Sequence, residues 1–249
     1  RKGEVIGVMK SSLDTLSTFA LAVLAGAFIS LGAISATVAW TTAGAQVPYG
    51  PSRILGGVVF SLGLILVIVG GAELFTCNNL IIMAWASRRL STLRLLRNWV
   101  IVYFGNMIGA VATALFVFLG QQFMMGNGDV GVTALNIGLA KVKLGFVQAI
   151  MLGILCNALV CLAVWLCYSA RSTIDKIFAI IFPVSAFVAA GFEHSVANMY
   201  FVPIAILIKD RATVDFWQVT GANPAAYQAL GWVPFLFRNL LPVTIGNII

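Results

Sequence analysis

Charge is what this sequence has least of: Asp, Glu, Lys and Arg together make up 9% of its 249 residues, and there is a single histidine. Beside 61% hydrophobic residues, so little charge excludes a water-soluble globule, which could not cover that much apolar surface. Cysteine is also scarce. Cys77, Cys156, Cys161 and Cys167 sit inside apolar runs without a C-x-x-C pair, which argues against a zinc site or a disulfide framework and for small buried hydrophobes. A basic stripe of the kind that binds nucleic acid is missing too, although the formal net charge is +7. No motif calls for a cofactor or a metal. The adjacent pair His194-Ser195 does not make an enzyme, because neighbours on one backbone are poorly placed as base and nucleophile and no oxyanion-hole motif accompanies them.

What is there is hydrophobic length. Runs near 16–40, 54–86, 98–120, 144–168 and 177–208, with a sixth starting near 240, each suit a membrane-spanning helix of about 20 residues. The first run is too long for a signal-peptide core and reads as retained. The sixth is about ten residues long where the sequence stops, too short to span, and reads as truncated. The whole chain, 1–249, is then one all-α membrane domain of six helices in the lipid bilayer. Nine basic residues (Arg1, Lys2, Lys10, Arg88, Arg89, Arg94, Arg97, Arg171, Lys176) flank one side of the runs. Six (Arg53, Lys141, Lys143, Lys209, Arg211, Arg238) flank the other, a bias that places both chain ends in the cytoplasm.

Two runs are overlong. As a single helix, 54–86 would measure about 50 Å against a hydrocarbon core of about 30 Å, so a break is expected. Glycines, a carboxyl and amides interrupt it at Gly70-Gly71-Ala72-Glu73-Leu74-Phe75-Thr76-Cys77-Asn78-Asn79. The run 177–208 is interrupted by Gly191-Phe192-Glu193-His194-Ser195-Val196-Ala197-Asn198. Both breaks read G-x-E-x-x-x-x-N, with Gly71, Glu73 and Asn78 matching Gly191, Glu193 and Asn198 at a constant offset of 120. Gly105-Asn106-Met107-Ile108 and Gly246-Asn247-Ile248-Ile249 match likewise. Three spans per repeat invert the second, giving repeats of about 13–120 and 144–249 with broken second and fifth helices. Paired broken helices point to a midplane conduction site, whose helix ends attract anions.

Within that frame His194 is an ionisable group among apolar residues and the candidate centre, against the plainer reading of a core histidine bonded to a carbonyl. Thr76 supplies a hydroxyl at similar depth, or a helix cap. Glu73 and Glu193, with Asn78 and Asn198, are read as structuring their own loops more readily than as proton carriers. Asn157 and Asn247 either donate to a passing anion or bond helix to helix. From the residues alone, Lys141 is first a helix-end lysine reaching for headgroups.

Six stretches in order, Gly26-Ala27-Phe28-Ile29-Ser30, Gly71-Ala72-Glu73-Leu74-Phe75-Thr76, Val102-Tyr103-Phe104-Gly105-Asn106, Gly153-Ile154-Leu155-Cys156-Asn157, Gly191-Phe192-Glu193-His194-Ser195 and Pro242-Val243-Thr244-Ile245-Gly246-Asn247, resemble the formate/nitrite transporter family, most closely its formate channels. Cys77 and Cys156 depart from the small residues expected there. The resemblance implies an aquaporin-like fold, a homopentamer with one pore per protomer in the bacterial inner membrane, and passage of formate or a similar small anion. It also implies His194 and Thr76 facing each other at the pore centre, Lys141 drawing anions in, and Asn157 and Asn247 lining the way. Constrictions would fall to Phe60, Leu64, Leu74, Phe75, Val160 and Phe187. Nitrite or hydrosulfide conduction and proton-coupled transport are the rival functions.

Overall fold

The computed structural model describes residues 2–46 and 48–249, so Arg1 of the basic flank lies outside the described residues. The described residues are helical with loops between. In chain order the α-helices are α1 Lys2–Ser12, α2 Thr15–Gln46, α3 Tyr49–Gly70, α4 Phe75–Asn78, α5 Ile82–Ala86, α6 Thr92–Leu119, α7 Asp129–Val142, α8 Phe146–Ser169, α9 Thr173–Ala189, α10 Ser195–Arg211, α11 Val214–Thr220, α12 Trp232–Pro234 and α13 Leu241–Ile248. A π-helical stretch, Phe235–Leu240, joins α12 to α13.

Among the described residues, five segments are long and apolar enough to cross a membrane: Thr15–Thr41, Tyr49–Gly70, Thr92–Leu119, Phe146–Ser169 and Pro224–Ile248. Large side chains such as Phe116, Phe182 and Val147 stand exposed on the outside, where lipid or a neighbouring protein is the compatible surrounding. The last helical stretch runs from Trp232, earlier than the start near 240 expected from hydropathy. Arg238, counted above among the flanking basic residues, and Asn239 precede that expected start. Both are inside the helical stretch, and Asn239 is fully buried because its amide is bonded on both sides.

Helix ends follow local chemistry. Ser91 opens α6 by accepting the Arg94 N–H, and Ser172 with Asp175 forms a reciprocal capping box at α9. The N–H groups of Arg171 and Ser172 and the Ser172 hydroxyl hold the Asp175 carboxyl below its ordinary pKa. Helix α3 stops where Gly71 turns left-handed at φ 71°, and the chain after α9 makes the same turn at Gly191, φ 74°.

Helix α2 packs on α3 and α6, α3 on α9, α8 on α9 and α13, and α10 on α7 and α6. Small residues let backbones touch at two of these crossings. A Cβ built on Gly109 would lie 2.0 Å from the Val23 carbonyl oxygen, and one on Gly246 would lie 2.2 Å from that of Ile150. The short helices α1 and α7, outside every hydrophobic run, pack inward as well: Gly7 sits against Ala84 and Gly138 against Ala205.

Candidate functional site

The two polar loops, 71–74 before α4 and 190–194 before α10, are tied down by the same set of bonds. In each, the glutamate backbone N–H donates to a carbonyl of a neighbouring long helix: Glu73 to Leu21 and Glu193 to Leu152, both at 3.2 Å. An asparagine from another helix then clamps the loop. Asn106 donates to the Ala22 and Glu73 carbonyls and accepts the Phe75 N–H at 2.8 Å. Asn247 donates to the Gly153 and Glu193 carbonyls and accepts the Ser195 N–H at 2.8 Å.

The glutamate side chains are held the same way. Asn78 donates to Glu73 at 2.6 Å and to Asn98 at 2.9 Å, while Asn198 donates to Glu193 at 2.7 Å and to Asn239 at 2.8 Å. Each carboxylate also meets a lysine: Lys10 reaches Glu73 at 2.8 Å and Lys141 reaches Glu193 at 2.9 Å. Desolvating a carboxylate costs several kcal/mol, and a close ammonium with one amide at Glu73 and two at Glu193 offsets that cost. Both oxygens of each carboxylate accept from these partners, so the glutamates are committed within their own clusters.

Lys10, Asn98, Asn106 and Asn239 complete these clamps without having been singled out as site residues. The sequence did hold a signal for some of them. Ile6-Gly7-Val8-Met9-Lys10 and Ile137-Gly138-Leu139-Ala140-Lys141 share I-G-x-x-K at an offset of 131, and Arg97-Asn98 matches Arg238-Asn239 at 141. The matching thus extends to α1 and α7, beyond the repeat starts expected at 13 and 144.

At the centre the loops differ. His194, the N-cap of α10, accepts the Ala197 N–H on Nδ1 at 3.0 Å. An accepting Nδ1 assigns the neutral ring its proton on Nε2, which then donates to Thr76 Oγ1 at 2.9 Å. That leaves the Thr76 hydroxyl hydrogen for another acceptor. His194 and Thr76 are both buried, and they bring the first turns of α10 and α4 together.

Phe187 stacks on the His194 ring at 6.0 Å between centroids, and Phe60 meets Phe187 edge-on at 5.8 Å. These three residues line a cavity of about 270 Å³ with Trp40, Arg53 and Lys141. Phe75 turns away from that cavity to pack on Tyr103 and Trp99, while Leu64, Leu74 and Val160 are buried in the core. Asn247 spends both amide hydrogens on the loop clamp, and its own carbonyl accepts from Asn157 and Asn79. Asn157 Oδ1 has no hydrogen-bond partner among the described residues.

A family model described as Formate/nitrite transporter matches residues 2–249. The chain belongs to the formate/nitrite transporter family. It is 46% identical over 246 residues to the formate channel FocA of Escherichia coli K12, covering 99% of this chain and 86% of the relative. To the formate channel FocA of Haemophilus influenzae it is 41% identical, over 96% of this chain and 84% of the relative. Among solved structures, a pentameric formate channel with formate bound superposes with a TM-score of 0.90 at 47% identity, covering 94% of this chain and 91% of that one. The members of the formate/nitrite transporter family matched here are channels and transporters, which agrees with a chain that is not an enzyme.

Proposed function

We propose that this chain is a passive channel for formate in the inner membrane of a bacterial cell, built as a homopentamer with a pore through each protomer. The relatives and the solved structure named above support the substrate and the assembly. In this reading six spans form two inverted three-helix repeats, aquaporin-like, with the second interrupted between α3 and α4 and the fifth between α9 and α10. Both chain ends face the cytoplasm, by the bias of basic residues.

The observation that carries the reading is the 2.9 Å bond from His194 to Thr76, because it sets two paired donors where the interrupted helices meet. An anion arriving there would exchange the Thr76 contact for bonds from the His194 Nε2–H and the Thr76 hydroxyl. The first turn of α10 adds its dipole. Phe60, Phe187, Leu64, Leu74, Phe75 and Val160 form the apolar constrictions around it. Lys141 helps to draw anions toward the cavity, Asn157 lines the path, and Asn247 braces the loop and lends its carbonyl to Asn157. Glu73, Glu193, Asn78 and Asn198 keep the interrupted backbone in place.

A second reading, proton-linked passage, rests on the apolar walls, since a bare anion between Phe60 and Phe187 loses far more hydration than neutral formic acid. In that version His194 titrates, and a doubly protonated ring must give up the bond from Ala197. Stopped-flow uptake into proteoliposomes, with formate, nitrite and hydrosulfide offered in turn, tests the substrate: formate fastest supports the proposal, and no formate uptake beside rapid uptake of another anion removes it. A planar-bilayer recording at equal pH on both sides then separates the mechanisms. Formate current indifferent to pH favours the hydrogen-bonding histidine, and confirmed flux without current favours the proton-linked one.

A further inference from the structure

The cavity beside His194 is lined by two cations and one carboxylate, and their pairing decides where its charge resides. Lys141 and Glu193 form an ion pair at 2.9 Å, so this lysine's charge is largely cancelled at short range. Arg53 is different. The chain has eight acidic residues, all of them described, and none forms an ion pair with Arg53. Its guanidinium lies over the Trp40 ring, Cζ 4.7 Å from the centroid, and Nη2 donates to the Val188 carbonyl at 2.6 Å. The buried Nε of Arg53 has no hydrogen-bond partner among the described residues. Stacking fixes the plane of the fork and leaves donors and a full charge uncommitted.

We propose that Arg53 is an anion subsite at the entrance to the His194 cavity and supplies the positive charge that concentrates monovalent carboxylates and similar anions there. This rests on the channel reading and assigns the attracting charge mainly to Arg53 instead of Lys141. The subsite belongs to one side of the molecule only. The position 120 residues on from Arg53, the offset relating the two loops, is Thr173. A cation in a low-dielectric cavity raises the local concentration of a counter-ion about tenfold or more and is screened by salt.

The alternative is that Arg53 merely braces the end of α9 through Val188. Formate uptake by wild type, Arg53→Gln and Arg53→Lys proteoliposomes separates these, measured across formate concentration at low and high salt. The proposal expects Arg53→Gln to raise the half-saturating formate concentration about tenfold, with the plateau rate falling no more than about twofold. It expects Arg53→Lys to recover most of the affinity, and added salt to weaken uptake at low formate in wild type but hardly in Arg53→Gln. Half-saturation in Arg53→Gln within about twofold of wild type overturns the subsite. So does an equal loss of plateau rate in both variants, which marks a brace. Wild type that conducts another anion but not formate sinks the formate reading alone, and the three proteins are then compared with the anion that does pass.

Discussion

The loops at 71–78 and 191–198 share a scaffold and differ at its centre. Glutamate, asparagine, lysine and the clamping amide recur, with corresponding distances within about 0.1 Å for the ion pairs and the clamped N–H groups, although Lys10 also bonds Asn78 and Asn239 also bonds Glu193 with no counterpart in the other loop. Where the second loop has His194 the first has Leu74, and where the first has Thr76 the second has Val196. The repeated residues hold interrupted backbone among apolar helices, a task both halves face. The unrepeated ones are those to which the proposed function gives the anion, and each loop contributes one partner to the 2.9 Å bond. On that proposal, repetition marks structure in this molecule and its failure marks function.

The largest effect expected from breaking the scaffold is at the clamps. Asn247→Ala removes the partner of the Ser195 N–H and of the Gly153 and Glu193 carbonyls in the interior, a loss of roughly 3–9 kcal/mol at about 1–3 per group. Asn106→Ala strands the matching three groups and should cost about the same. Thermal unfolding of the detergent-solubilised protein should show both variants failing to assemble or melting far below wild type. If one melts like wild type while the other collapses, the scaffolds are not equivalent.

Removing a lysine is expected to do less. Lys141→Ala leaves the Glu193 carboxylate buried without its cation, about 3–5 kcal/mol, whereas the Lys10 side chain is 27% exposed against 15% for Lys141, and Lys10→Ala should cost clearly less. Removing the charge with its partner, as in Lys141→Met with Glu193→Gln, should recover most of the loss on the same melting assay. No recovery would mean that the pair is not the reason for the lysine.

A smaller and more selective effect comes from exchanging the unrepeated residues. Thr76→Val keeps the shape and removes the hydroxyl that receives the His194 N–H, so formate flux should fall about tenfold with little change in melting. Val196→Thr, at the matching position, should change flux less than twofold. Equal losses from the two would erase the asymmetry.

Much of this was legible in the residues. The G-x-E-x-x-x-x-N pair marked both loops, and the matching Gly-Asn dipeptides contained both clamping amides, although Asn106 stood out only as part of the repeat. The I-G-x-x-K match escaped because its offset, 131, differs from the 120 of the loops, and because a lysine after an amphipathic stretch reads first as a headgroup anchor. Helices α1 and α7, of 11 and 14 residues, are too short to register as hydrophobic runs, although they carry the two lysines. Asn239 and Arg238 delayed the expected start of the last helix, since a polar pair in an apolar run resembles a boundary until its partners are known. The pairing of Lys141 with Glu193 was hidden for the same reason: 52 residues separate them, and no spacing rule connects them.

The central claim is that His194 is the functional element of a loop whose other polar residues are structural. Formate uptake by stopped-flow in His194→Phe proteoliposomes, with pentamer recovery and melting measured on the same preparation, tests it most directly. The account predicts flux reduced at least about 100-fold, because the Nε2–H donor is gone and the Thr76 hydroxyl is left without its partner, while the assembly persists with a melting loss of only about 1 kcal/mol for the vanished helix cap. Full formate flux through His194→Phe would contradict it.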